Sequence, residues 1–260
     1  MDTPPPSLYL TLDVDWAPDF VIDHVASILR AHRVHATWYV THASPAIDRL
    51  RRHADLFELG IHPNFNADSS HGDTPETVLA HCMALVPEAV SMRSHGQLQS
   101  TCLLTKVLKT TPVDTDLSYL LPKMPHLAPA CYQVAGRPFV RIPSYYEDDV
   151  AMEQPAPGWH ADAFFDEQPG LKVLTFHPIH LYLNGTDMVP YEAAKRLHRS
   201  LHHVTNAQIA PFVQRGEGPG TLFTGLVERL AGTRTACIRD VREAVLRTHA
   251  VPASSVPYPA

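Results

Sequence analysis

Aspartate, histidine and arginine recur directly after short apolar segments of this sequence. Asp13 and Asp15 follow the apolar run at residues 8–12, and the two-residue repeat of a strand would place both carboxylates on one side. Two neighbouring carboxylates repel each other unless a cation or an arginine lies between them. Later apolar segments lead into His62, Arg93, His95, His177 and His180. Zinc and related metals take His and Asp ligands, and His transfers protons near neutral pH, so the pattern predicts a metal or acid–base site.

The segments before these residues alternate between strand and helix patterns. Predicted strands occupy residues 8–12, 35–41, 56–62, 89–93 and 171–176, and predicted helices occupy residues 20–29, 46–54, 74–85 and 99–109. This alternation is typical of a parallel α/β sheet or barrel, in which active sites lie at the carboxyl ends of the strands. Any single polar residue here could be a solvated loop residue or a helix cap. The whole set, placed at strand ends, favours a functional site.

The second half of the sequence is less regular than the first. Residues 111–170 are rich in proline and contain hairpin-like strands, so we predict an irregular insertion in the middle of the fold. Further helices are predicted at residues 190–203, 220–231 and 239–248. With no internal repeat or charge block, we predict a single domain over residues 1–260. It would comprise a motif-bearing part at 7–180, closing helices at 181–250 and a tail at 251–260.

Composition and charge exclude several classes of protein. The 260 residues include 21 Lys and Arg against 27 Asp and Glu, and the net charge of −6 lacks the basic signature of a nucleic-acid binder. A sequence that is 45% hydrophobic and 18% charged is globular rather than disordered. The four cysteines form neither a disulfide framework nor a zinc-ribbon spacing. With no secretory signal and no bilayer-spanning apolar run, we expect a cytoplasmic protein without a transmembrane segment, whose oligomeric state the sequence leaves open.

Four short segments, taken in order, resemble the motif series of the polysaccharide deacetylases, the NodB-homology carbohydrate esterases. They are Asp-Val-Asp at 13–15, Glu-Leu-Gly-Ile-His at 58–62, Arg-Ser-His-Gly at 93–96 and Leu-Thr-Phe-His at 174–177. The resemblance is strongest to the WbmS-type deacetylase-like proteins of O-antigen biosynthesis. It implies a distorted (β/α) barrel with parallel strands, which agrees with the alternation of strands and helices.

The resemblance also implies a role for each matching residue. Asp13 corresponds to the general base, and Arg93 to the arginine that holds this base in position. Asp15 and His62 correspond to ligands of a divalent metal ion, for which zinc is the expected identity. His177 corresponds to the general acid.

One position departs from the family pattern. The family has a second metal-binding histidine four residues after the first, and this sequence has Asn66 there. A neutral amide oxygen is a poorer zinc ligand than an imidazole nitrogen. His71 could fold back and replace it, and we take His71 as the third ligand, although it could equally be an exposed loop residue. Asn64 or Asn66 could serve instead, or the domain could bind a sugar with little or no metal.

Several polar residues near these motifs are candidates for contacts with a substrate. They are Asn64, Asn66, His95, His180, Glu147 and Asp148. The expected function is metal-dependent N-deacylation of an N-acyl amino sugar in O-antigen or other surface-polysaccharide synthesis. The sugar would be a small molecule, carried on a nucleotide or a lipid precursor. The alternatives are a metal-poor relative that binds sugar without hydrolysing it, and a metal hydrolase that acts on a non-sugar amide.

Overall fold

Nine strands in the computed structural model form a sheet that curls into a half-barrel. The structure describes residues 8–155, 157–165, 168–198 and 200–249, so the predicted tail at 251–260 lies outside it. In chain order the strands are β1 (Leu8–Asp13), β2 (Ala36–Val40), β3 (Phe57–Ile61), β4 (Ser91–Met92), β5 (Thr115–Asp116), β6 (Ala130–Val134), β7 (Arg137–Arg141), β8 (Tyr146–Glu147) and β9 (Lys172–Phe176). Their order across the sheet is β6-β7-β5-β4-β3-β2-β1-β9-β8. Neighbouring strands are parallel, except that β6 and β7 form an antiparallel hairpin.

Helices connect most of the strands, as the predicted alternation requires. In the described part of the chain they are α1 (Asp19–His32), α2 (Pro45–Arg51), α3 (Pro75–Leu85), α4 (Thr101–Thr110), α5 (Asp148–Met152), α6 (Pro178–Leu183), α7 (Val189–Lys195), α8 (Asn206–Ile209), α9 (Pro219–Leu230) and α10 (Ile238–Thr248). None of these helices has the length and apolar character needed to cross a membrane. The parallel half-barrel confirms the predicted fold class, and the hairpin lies in the segment predicted to be irregular.

One predicted helix is shorter than expected. The sequence predicts a helix over residues 190–203, but α7 ends at Lys195 and a separate 3₁₀ turn covers Leu201–His203. Between them, the Ser200 amide donates a hydrogen bond to His198 Nδ1 at 3.1 Å. Such local side-chain bonds to the backbone compete with helical hydrogen bonding. The interruption brings part of this segment to the edge of a cavity described below.

The interior strand β1 is buried on both faces, as expected in a parallel sheet covered by helices. Leu8, Leu10 and Leu12 belong to the larger hydrophobic core, whereas Tyr9 belongs to a smaller core on the other face. Helix α10 contributes Ile238, Val241 and Val245 to that smaller core. With both faces of the strand covered, its polar residues can reach solvent only at its carboxyl end.

A close approach between β2 and β3 fixes the position of Tyr39. A Cβ atom on Gly60 would lie 2.6 Å from Tyr39 Cε1 and 2.9 Å from the Ser91 carbonyl oxygen, so a larger residue would force a shift. The centre of the Tyr39 ring lies 4.8 Å from the Arg93 guanidinium carbon, which is a cation–π distance. The Tyr39 ring, held by the close approach of β3, therefore packs against the Arg93 guanidinium group and helps to position it.

Candidate active site

The carboxyl ends of β1, β3, β4 and β9 bring the predicted site residues together. Asp13 ends β1, and His62, Arg93 and His177 each follow directly after a strand. Arg93 Nη1 lies 2.7 Å from Asp13 Oδ1, and His177 Nε2 lies 3.6 Å from Asp15 Oδ2. All five side chains are buried. They form one cluster, as the strand-end positions predict.

Asp15, His62 and His95 form a group suited to a metal ion, which we call the ligand group. Asp15 Oδ1 lies 3.0 Å from His62 Nε2 and 3.3 Å from His95 Nδ1. All three atoms are buried, and none has a hydrogen-bond partner among the described residues. A buried polar atom without a partner is destabilising, and a cation between these three would remove that cost. One carboxylate and two imidazoles are also a donor set that zinc takes in open catalytic sites. The residues present therefore fit a divalent metal.

An unusual turn after β1 positions Asp15 in the ligand group. Asp15 and Trp16 have φ angles of 44° and 54°, which non-glycine residues adopt rarely. The Trp16 amide donates a hydrogen bond to Thr41 Oγ1 at 3.0 Å and so helps to hold the turn. Burial would raise the pKa of Asp15, but the neighbouring histidines outweigh it and hold this pKa well below its usual value. The carboxyl group is therefore ionised, as a metal ligand must be.

Arg93 holds Asp13 in place through a network of buried hydrogen bonds. Its guanidinium group is fully buried and donates to Asp13 Oδ1 at 2.7 Å, to Thr11 Oγ1 at 3.0 Å and to Ser144 Oγ at 3.2 Å. Burial disfavours the charged form, but the nearby carboxylates outweigh it and the pKa of Arg93 is raised. A permanently charged and rigidly held arginine keeps the Asp13 carboxylate in one orientation.

His177 and Asp148 form a second buried pair. His177 Nδ1 lies 2.6 Å from Asp148 Oδ1, and the His177 amide donates to Asp148 Oδ2 at 2.9 Å. Because a carboxylate only accepts, Nδ1 carries a proton here, and Nε2 is left facing Asp15. Burial lowers the pKa of His177, but Asp148, Asp149 and Asp15 outweigh it and raise this pKa well above its usual value. The imidazole is therefore protonated and equipped to donate a proton.

Glu147 lies beside the Arg93–Asp13 pair and the His177–Asp148 pair. One of its carboxylate oxygens is within 4.8 Å of a carboxylate oxygen of Asp13 and of a ring nitrogen of His177. Its Oε2 accepts a hydrogen bond from Gln97 Nε2. Burial and the nearby Asp149 carboxylate raise the pKa of Glu147. A carboxyl group in this position can take part in the chemistry or orient the polar groups around it.

Comparisons with known proteins identify the family of this chain. The WbmS-like polysaccharide deacetylase family matches residues 10–195. The chain belongs to this family. WbmS from Bordetella bronchiseptica, described as a polysaccharide deacetylase involved in O-antigen biosynthesis, is 31% identical, with a TM-score of 0.72 over 85% of this chain and 90% of that one. The peptidoglycan deacetylase PdaC from Bacillus subtilis shares the fold at 9% identity, with a TM-score of 0.50 over 96% of both chains. No curated protein matches the sequence.

In this member of the WbmS-like family, His71 lies outside the ligand group. Its Nε2 donates to the Thr41 carbonyl oxygen at 2.7 Å, and its Nδ1 accepts a hydrogen bond from the Asn64 amide at 3.1 Å. Burial lowers the pKa of His71 to about 4, so the ring is neutral. With both ring nitrogens bonded to the backbone, His71 has no free nitrogen for a metal. The assignment of His71 as third ligand therefore does not fit the geometry, whereas His95, expected to contact substrate, lies in the ligand group.

The other expected substrate contacts differ in exposure. Asn64 is half-buried and lines a cavity beside Asp15, whereas Asn66 is exposed and donates its backbone and side-chain amides to Asn64 Oδ1. Asp148 is fully buried and His180 is 4% exposed, and they lie 3.5 Å apart. Neither residue lines the cavity beside Asp15. Asp148 accepts a hydrogen bond from His177 Nδ1 and so supports that side chain, and substrate contact by His180 stays a prediction.

A cavity of about 660 Å³ opens beside the ligand group. It is lined by aromatic and polar side chains, among them Asp15, Trp16, Asn64, Ser70 and Tyr191. The Tyr191 ring packs edge-on against His180, with the ring centres 4.8 Å apart. Trp16 could have been found from its place next to Asp15. Nothing in the sequence pattern marks Tyr191, because α7 reaches the site only through tertiary packing.

Proposed function

We propose that this chain is a metal-dependent hydrolase that removes the acyl group from an N-acyl amino sugar during synthesis of a surface polysaccharide such as O-antigen. The observation that carries the proposal is the position of the ligand group between a base and an acid. His62 Nε2 lies 3.9 Å from Asp13 Oδ2, and His177 Nε2 lies 3.6 Å from Asp15 Oδ2. Membership of the deacetylase family and the description of WbmS support the choice of substrate. A cytoplasmic location, where such precursors are assembled, is part of the same proposal.

The ligand group would hold a divalent ion, and zinc is the ion that we propose. One carboxylate and two imidazoles leave coordination positions open for water and substrate. Such an ion polarises the acyl carbonyl and makes water acidic enough to attack near neutral pH.

Asp13 is the general base in this proposal. Its carboxylate would take a proton from the attacking water, and such proton transfers contribute typically about 10²–10⁴-fold to the rate. Arg93 and the Thr11 and Ser144 hydroxyl groups that surround it keep the carboxylate from rotating away. A base held in this way needs no rearrangement before the reaction.

His177 is the general acid. Amide cleavage releases an amine, which leaves readily only if its nitrogen is protonated first. Asp148 fixes the tautomer of His177 by accepting from Nδ1, so that Nε2 carries the proton that the amine receives. Asp148 also stabilises the positive charge of the imidazolium before the transfer.

Two rival functions lead to different expectations. A metal-poor, sugar-binding protein would follow if Asn66 left the site incomplete, but the partnerless His95 Nδ1 supports a complete set of three ligands. A hydrolase of a non-sugar amide would use the same metal, base and acid. Only a comparison of substrates separates it from a sugar deacetylase.

The test is to measure metal content and acetate release on the same purified protein. We expect about one equivalent of zinc or another divalent metal per chain, and acetate release from N-acetylated amino sugars. Asp13→Asn should abolish acetate release and retain the metal, because Asp13 lies outside the ligand group. Metal-free protein that binds sugars without releasing acetate would favour the sugar-binding function. Acetate release from non-sugar amides alone would favour the other hydrolase.

A further inference from the structure

A short segment around the end of α7 combines lysine, arginine and histidine in an otherwise acidic chain. Residues 193–204 contain three Lys or Arg side chains, three His side chains and no acidic one, whereas the whole chain has a net charge of −6 with histidine neutral. The six are Lys195, Arg196, His198, Arg199, His202 and His203. A local concentration of positive charge attracts anions to the surface where it is exposed.

Part of this segment lines the cavity beside the ligand group. Tyr191, Lys195, His198 and His203, which we call the basic wall, border the same cavity as Asp15. Lys195 Nζ lies 5.0 Å from the centre of the Tyr191 ring, and this cation–π contact holds the ammonium group beside the aromatic wall. Its acidic neighbour is Glu192, with Nζ and Oε1 3.7 Å apart. Both side chains of that pair are about half exposed, and exposed pairs are weak, so Lys195 remains available to a ligand.

The histidines of the segment pack against one another and add hydrogen-bond donors. The ring centres of His198 and His203 are 5.1 Å apart, and those of His202 and His203 are 3.9 Å apart. His198 Nδ1 lies 3.1 Å from the Ser200 amide nitrogen and 3.0 Å from the Ser200 carbonyl oxygen, so this nitrogen is engaged by Ser200 and Nε2 is the one left for a ligand. An imidazole N–H can donate to an anionic oxygen whether or not the ring is charged.

We propose that the basic wall binds a phosphate group attached to the amino sugar, so that the substrate is a phosphate-linked N-acyl amino sugar rather than a free sugar or a finished polymer. This inference rests on the proposed function, since Asp15 of the ligand group and the basic wall border a single cavity. The cavity of about 660 Å³ is within the usual range for small-molecule sites. Asp68 also lines it, but this residue is exposed, and solvent screens its repulsion.

The experiment compares two probes that differ only in the phosphate. Binding of N-acetylglucosamine 1-phosphate and of the neutral methyl glycoside of N-acetylglucosamine to the full, metal-loaded chain is measured by calorimetry. We expect the phosphate to bind more tightly, and Lys195→Met to weaken its binding about three- to tenfold while leaving the neutral glycoside unchanged. Glu192→Gln, which removes the competing carboxylate, should tighten phosphate binding. Added salt should weaken the phosphate alone.

Lys109→Met is the matched control, because Lys109 is an exposed lysine on α4, away from the cavity. It should change neither affinity. Equal affinity for the two probes, no binding of either, or a phosphate preference that survives both Lys195→Met and the double variant His198→Gln/His203→Gln would overturn the proposal. Acetate release separates the two proposals. Tight phosphate binding without acetate release would contradict the proposed deacylation. Equal turnover of both probes would contradict phosphate binding by the basic wall and leave the proposed deacylation standing.

The same assay distinguishes the two sources of a sugar-linked phosphate. A nucleotide carrier predicts that the uridine diphosphate ester binds more tightly than the 1-phosphate. A lipid carrier predicts the same of the polyprenyl diphosphate ester, presented in detergent micelles.

Discussion

Replacing His95 tests which side chain completes the ligand group. Its Nδ1 lies 3.3 Å from Asp15 Oδ1 and has no hydrogen-bond partner among the described residues, so His95→Ala removes one of three protein ligands. In metalloproteins, mutation of a residue that only hydrogen-bonds to a metal ligand lowers metal affinity about 10–100-fold. For a direct ligand we therefore expect a loss of at least about 100-fold.

The loss should be visible as a smaller stabilisation by metal. At a free zinc concentration of about 100 times the wild-type Kd, binding stabilises the folded chain by about 2.7 kcal/mol. A 100-fold weaker site is then half-filled, and its stabilisation falls to RT ln 2, or about 0.4 kcal/mol. With about 2–4 °C of Tm per kcal/mol for a chain of this size, the zinc-induced rise in Tm falls from about 5–11 °C to about 1–2 °C.

The assay is thermal unfolding with and without zinc, with metal analysis of the dialysed protein. His71→Ala is the decisive comparison. It should lower the Tm of the metal-free chain, because it removes hydrogen bonds to Thr41 and Asn64, but it should preserve the rise caused by zinc. Asn66→Ala should be mild in both respects, since Asn66 is exposed. If zinc instead stabilises His95→Ala fully and fails to stabilise His71→Ala, the assignment of the ligand group is refuted.

Two further predictions concern the acid and the sheet. Asp148→Asn removes the anionic acceptor of His177 Nδ1. We therefore expect kcat to fall by about 10²–10⁴-fold, with KM and bound metal unchanged. An unaltered kcat in steady-state assays would show that Asp148 has no part in the mechanism. Gly60→Ala brings a methyl group within 2.6–2.9 Å of Tyr39 and of backbone, and we expect a loss of about 1–3 kcal/mol in denaturant unfolding. Gly158→Ala is its control, because the added methyl group meets nothing there, and equal stability of the two variants would contradict the packing argument.

The long strands could be predicted because their apolar runs follow from burial on both faces. β1, β3 and β9 lie within one residue of the predicted ranges at each end, and each leads into a site residue. β5 and β8 contain two residues each, one of them acidic in both strands, so no apolar pattern marks them, whereas the equally short β4 lies inside the range predicted at 89–93. They join the sheet through their neighbours in space, and sequence periodicity does not contain that information.

The place of His95 in the ligand group could not be predicted because it depends on contact between two loops. The His95 amide donates to the Pro63 carbonyl oxygen at 2.9 Å, which ties the loop after β4 to the residue that follows His62. Gly96 and Gln97 have φ angles of 61° and 54°, so the chain turns sharply just after His95. A spacing rule looks for both histidines in one segment. Such a rule selects Asn66 and His71, which lie in the same segment as His62. In the structure Asn66 bonds to Asn64, and His71 bonds to the backbone of Thr41 and Asn64.

The assignment of His95 also accounts for the departure at Asn66. If the second imidazole comes from the end of β4, the loop after β3 no longer has to close around an ion. His71 then anchors that loop to the Thr41 carbonyl oxygen, and the loop contributes Asn64 and Ser70 to the cavity wall. In the family pattern a single loop after β3 supplies both histidines. Under the proposed assignment the two imidazoles come from neighbouring strands, and the loop after β3 is left to line the cavity while the proposed base and acid keep their positions.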